Sequence, residues 1–158
     1  MAGTTTKKII KIVALAVVLL FVLIQFVRPD RNNPPVNPND TLEASMQVPD
    51  NVKAVLARSC ADCHSNDTYY PWYSNISPVS WFLANHIKDG RKELNFSEWN
   101  TYNARKKAKK LEEVCEQVDM GDMPLPSYLW IHRDASLSDE DRKVLCDWAN
   151  SERAKAPQ

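Results

Sequence analysis

Glycine is scarce in this chain, with three among 158 residues, too few for the many tight turns that an all-β domain of this length requires. Also missing is any run of alternating apolar and polar residues, the mark of a half-buried strand. Helices joined by loops remain. The chain has no surplus of positive charge: Lys and Arg number 20, and so do Asp and Glu. Lys7, Lys8 and Lys11 precede Arg28, so 17 basic residues face 20 acidic ones from there onward. Nucleic-acid binding, which calls for a clearly basic domain, is excluded. Cysteine is sparse as well: Cys60 and Cys63 make one close pair, whereas Cys115 and Cys146 stand far apart. A tetrahedral zinc site therefore lacks its second ligand pair.

What the chain does have begins with an apolar run, Ile9 to Val27, interrupted by Lys11 near its start and Gln25 near its end. As a helix it would rise roughly 28 Å, which predicts a membrane-spanning anchor over residues 9–27. It ends at Gln25-Phe26-Val27-Arg28-Pro29, without a small-x-small cleavage site, so an uncleaved anchor is expected rather than a signal peptide. Three cations before the span against two after it point residues 1–8 to the cytoplasm. The expected location is thus single-pass in the inner membrane, with the remainder periplasmic. Residues 28–49, PDRNNPPVNPNDTLEASMQVP and the arginine before it, are rich in proline and asparagine and predict an extended linker.

From residue 50 to 158 the pattern is that of a small helical domain. Asp50 can cap a helix carrying Val52, Val55 and Leu56 at helical spacing. Ser77-Pro78 predicts the start of a second, with Val79, Phe82, Leu83, His86 and Ile87 on one face and Gly90 as its stop. A third places Leu111, Val114, Cys115 and Val118 on a stripe ending near Gly121. The last starts at Ser138, with Asp141 three residues on as a capping-box variant, and buries Val144, Leu145, Trp148 and Ala149. Four or five short helices make a small core, of the size that often needs a disulfide, metal or embedded cofactor. Cys115 and Cys146, on the third and last helices, are expected to form a disulfide, the alternative being two buried apolar thiols.

The densest chemistry lies in Cys60-Ala61-Asp62-Cys63-His64. Two thiols at this spacing add across porphyrin vinyl groups, and the histidine directly behind them reaches the iron. A thioredoxin-type dithiol would need a preceding strand, which the pattern does not provide. One covalent haem c, with its iron held on one face by His64, is the expectation. Met46, His86, Met120, Met123 and His132 compete for the opposite face. Trp72, Tyr73, Trp81, Trp99, Tyr128 and Trp130 would either pack around a porphyrin or form an ordinary core. Tyr69 to Trp72 would wrap the ring edge, and Arg91 or His132 could meet a propionate. The run Arg105, Lys106, Lys107, Lys109, Lys110 is a solvated helix face or a docking site for an acidic redox partner.

The opening helix ending in C-x-x-C-H, the later Gly121-Asp122-Met123-Pro124 and the capped final helix resemble class I cytochromes c. More closely, CADCHSNDTYYPWYSNISPVSWFLANH with GRKELNFSEW and MPLPSYLWIH resembles the membrane-anchored haem-binding domain proteins of Bacteroidetes-type bacteria. The resemblance implies an all-α, cytochrome c-like domain around a covalent haem, preceded by one transmembrane helix, with Met123 as the second iron ligand. A thioether donor suits low-spin iron and raises its reduction potential. The implied function is single-electron transfer between periplasmic or membrane redox proteins, without enzymatic activity. The alternatives are a haem enzyme or accessory domain with an open iron site, associated with peroxidases, and a haem-based sensor.

Overall fold

The computed structural model describes residues 2–155; the first residue of the expected stub and the last three of the expected domain lie outside them. All eight α-helices among the described residues are joined by loops and short 3-10 turns: α1 (Ala2–Ile24), α2 (Leu42–Ser45), α3 (Asp50–Ser59), α4 (Ala61–His64), α5 (Val79–Glu93), α6 (Ala104–Met120), α7 (Pro126–Leu129) and α8 (Asp139–Lys155). The all-helical expectation holds. The chain divides into two compact units. One comprises the residues up to Asn32 with Tyr70–His86, the other Asn33–Tyr69 with the residues from Ile87 onward.

The expected anchor is corrected. Among the described residues no helix is long and apolar enough to cross a membrane. Lys11 interrupts the apolar run, and only Ile12 to Ile24 follow it within α1. Thirteen residues rise about 20 Å, short of the ~30 Å hydrocarbon core. Gln25 and Phe26 leave the helix as a turn, and the Gln25 amide is used elsewhere: its Nε2 donates to the Ser77 carbonyl at 3.0 Å, and its Oε1 accepts from the Ser77 N–H at 2.9 Å. The transmembrane helix and the single-pass inner-membrane location with a periplasmic domain fall together. In the same unit the Arg31 guanidinium donates to the Ser74 carbonyl and to Asn75 Oδ1, and Trp81 Nε1 donates to the Val27 carbonyl.

The larger unit has one core. Val52, Val55 and Leu56 of α3, Leu111 and Val118 of α6, and Leu145, Trp148 and Ala149 of α8 are buried together with Trp99, as the i, i+3, i+4 stripes require. The Pro- and Asn-rich stretch is not uniformly extended, since Leu42 on α2 and Val48 join this core. Helix α8 begins at a reciprocal cap in which the Ser138 N–H donates to Asp141 Oδ2 and the Asp141 N–H to Ser138 Oγ, satisfying two groups left open at a helix start. Helix α6 ends where Gly121 turns left-handed at φ 76°, the conformation only glycine adopts without steric cost.

Three boundaries differ from the sequence pattern. Asp50 does not cap α3 but is its first residue, with Pro49 at the cap position and no side-chain cap bond. Helix α5 starts at Val79, one residue after Pro78, and it does not stop at Gly90 but continues to Glu93. Gly90 serves close approach instead. A Cβ there would lie 2.7 Å from the Cys63 carbonyl oxygen and 3.2 Å from Cys63 Cβ.

Candidate haem site

The motif Cys60–His64 folds as one helical turn, the His64 N–H donating to the Cys60 carbonyl at 3.0 Å. Residues four apart on a helix share a face. Cys60 and His64 accordingly both line a cavity of about 410 Å³ in the larger unit, within the range of small-molecule and cofactor sites. Cys63, one residue out of register, is not among the lining residues, and its carbonyl and Cβ lie against Gly90. Met123 lines the same cavity, with Leu56, Leu94, Phe96, Val114, Val118 and Leu145 as apolar wall. Its polar lining residues are Ser59, Glu93, Lys110, Glu113, Glu116 and Gln117.

Each of these side chains is held by its own local structure. His64 Nδ1 lies 3.0 Å from the carbonyl oxygens of both Gly90 and Leu94. Carbonyls only accept, so Nδ1 carries the proton and Nε2 keeps its lone pair, the tautomer a metal-binding imidazole needs. Burial pushes the imidazole below the ordinary histidine range, against the two carbonyls that favour its charged form, which keeps it neutral. Met123 is placed by its N–H, which donates to the Gln117 carbonyl at 3.1 Å beside the parallel bond from Asp122. Its neighbour Pro124 is buried. Asp62 joins the two sides: its Oδ2 accepts from the Tyr128 hydroxyl at 2.8 Å, its Oδ1 from the Tyr69 N–H, and its carbonyl from the Thr68 hydroxyl.

The two motif thiols are unpaired. Burial, then the neighbouring Cys63, pushes Cys60 up to about 12, and burial, then Asp62, pushes Cys63 up to about 11. A redox-active dithiol is built the other way, with a thiol lowered toward neutrality. The donor set and the apolar wall fit a haem. So does Ser59, 8% exposed and lining the cavity with a hydroxyl that has no partner within the protein, since a buried polar atom requires one.

Residues 19–151 match the family model described as a haem-binding domain. This chain belongs to the haem-binding domain family. No curated protein and no solved structure matches it. The match covers most of the chain, and with it both motif cysteines, His64 and Met123.

Other residues singled out in the sequence take different places in this haem-binding domain. His86 bonds the Phe82 carbonyl of its own helix through Nδ1, at 2.8 Å. Met120 is 63% exposed, and Met46 packs against the core. His132 stacks on Tyr128 at 4.2 Å. None of the four is among the residues lining the cavity. Among the aromatics, Tyr69, Trp72 and Trp130 are largely exposed and Trp99 belongs to the core. Phe96 is the ring in the wall, 6.2 Å from His64 between centroids. Sequence reasoning passed over it, although Asn95 before it is a capping residue whose Oδ1 accepts from the Ser97 N–H at the start of a 3-10 turn.

Arg91 donates to the Ser65 carbonyl, to Asn33 Oδ1 and to Thr68 Oγ1, bracing the loop behind the motif. In the basic run, Lys106 lies over the Tyr102 ring, Lys107 bonds Asn100, and Lys109 and Lys110 pair with Glu113. Lys109 and Lys110 thus face a carboxylate, whereas Lys106 and Lys107 meet neutral groups. Cys115 and Cys146 are joined as a disulfide. The nearby Asp119 therefore faces no thiolate, and the three side chains do not form a metal site.

Proposed function

We propose that this haem-binding domain carries one covalent haem c and transfers single electrons between redox partners, with a ligand set like that of class I cytochromes c. The observation that carries the reading is the convergence of Cys60, His64 and Met123 on one largely apolar cavity, with His64 fixed in the metal-binding tautomer. When bound, haem supplies an iron that takes up and releases one electron. Cys60 and Cys63 would hold the porphyrin through thioethers, and His64 Nε2 and the Met123 thioether would hold the iron. The chain's contribution is rigidity and dryness: α5 fixes the imidazole, the end of α6 fixes Met123, and the apolar wall excludes water. Little needs to rearrange when charge changes, as electron transfer demands.

The test is spectroscopic. Covalently held haem should stay with the polypeptide through acid–acetone extraction, and Cys60→Ala with Cys63→Ala should release it. The oxidised protein should be low-spin with a far-red sulfur-to-iron charge-transfer band, which Met123→Ala removes. A high-spin ferric spectrum in the unaltered protein would sink the closed, six-coordinate carrier and favour a haem enzyme with an open iron site.

A further inference from the structure

The cavity wall also carries charged groups. Glu93, Glu113 and Glu116 line it, and Lys110 is the sole ammonium among its described lining residues. Lys110 is only 13% exposed at its side chain, with its Nζ 2.6 Å from Glu113 and 3.7 Å from Glu93. The two carboxylates are wetter, at 31% and 69%. Glu113 has a second cation in Lys109, 3.2 Å away and 71% exposed. Glu113 can therefore release Lys110 and keep a partner in solvent, whereas Lys110 needs an anion wherever it stays buried.

Haem is itself a dianion through its two propionates. A propionate entering beside three carboxylates meets like charge unless an ammonium receives it. Arg91, the cation suggested by sequence alone, is engaged with Ser65, Asn33 and Thr68. The geometry points to Lys110 as the residue that receives a haem carboxylate, exchanging Glu113 for it and so selecting porphyrins that bear a free propionate. This rests on the haem reading above and adds the group that orients the ring within the cavity.

The test compares haemin with its dimethyl ester, which lacks the carboxylates, in Soret titrations of the reduced apo chain. Three proteins are compared: the unaltered chain, Lys110→Gln and Glu113→Gln, each checked for native helicity by circular dichroism. Esterification should weaken binding about tenfold in the unaltered chain, the worth of one charge-assisted bond. In Lys110→Gln the penalty should shrink to about twofold, and in Glu113→Gln, where Lys110 has lost its competitor, it should equal or exceed the original. An unchanged penalty in Lys110→Gln overturns the assignment. If that variant does not fold, a smaller penalty in Glu113→Gln than in the unaltered chain overturns it equally. Absence of any Soret response to haemin overturns the haem reading and this inference with it, an outcome distinct from binding that is indifferent to Lys110.

Discussion

Two of the three glycines do different work, and substitution separates them. Gly121 is in the left-handed region, with open space around the position a Cβ would take. Replacing it by alanine should cost about 1 kcal/mol, while asparagine, which tolerates that conformation, should cost less. Gly90 is helical, and its constraint is the Cys63 carbonyl 2.7 Å from any added Cβ. Alanine there should cost about 1–3 kcal/mol, as overpacking against backbone does, and asparagine should be no gentler. Denaturant titration of the four variants decides it; a Gly90→Ala variant as stable as the unaltered chain would refute the close approach. The consequence reaches the site, because the Gly90 carbonyl also accepts from His64 Nδ1. Displacing α5 from the motif turn should lower haem retention together with stability.

At the scale of elements, the start of α8 is a small electrostatic device. The Asp141 carboxyl is held below the ordinary aspartate range, first by the Ser138 N–H, then by the Ser138 hydroxyl, with Arg58 of α3 adding to it. A depressed carboxylate stabilises the fold above its unfolded value of about 4, and that contribution is lost as pH falls through the folded value. Asp141→Ala should therefore cost about 1 kcal/mol at neutral pH, with the deficit closing below about pH 4. Thermal unfolding across pH checks this, and a deficit that persists into acid would show that the carboxylate charge is not its source. This cap was legible in Ser138 and Asp141 because capping depends on neighbours three residues apart. The same holds for the C-x-x-C-H turn, whose chemistry lies within five residues. The helix passing through Gly90 was not legible, since a glycine read locally signals a stop and the Cys63 backbone that demands it lies twenty-seven residues earlier. Lys110 was hidden for a like reason: within its own run it is one lysine among several, and only the fold sets it in the cavity wall beside Glu93 of another helix.

For the larger unit as a whole, the question is what keeps Met123 in the cavity that His64 also lines when each depends on a different part of the chain. His64 is bonded to the carbonyls of Gly90 in α5 and of Leu94 just past its end. Met123 lies in the segment between α6 and α8, where α7 is a single turn and Trp130 and Ile131 are exposed. The Cys115–Cys146 disulfide closes this segment at its base, the two positions standing thirty-one residues apart. Closing a loop of that length removes about 3–4 kcal/mol of unfolded-state entropy in the chain-entropy model, a large share of a small domain's stability. Its second effect is local, because α7 and Met123 both lie inside the closed loop. Replacing both cysteines by serine should lower the unfolding free energy by about that amount and, on the covalent-haem reading proposed above, leave the haem attached through Cys60 and Cys63. The oxidised spectrum should then show a larger high-spin fraction and a weaker far-red band, because the segment bearing Met123 is less confined while His64 keeps its two carbonyls. Denaturation and optical spectra of the same samples measure both effects. A loss of stability without any change in the spectrum would mean that the Asp62–Tyr128 bond and the Met123–Gln117 bond position Met123 without help from the disulfide.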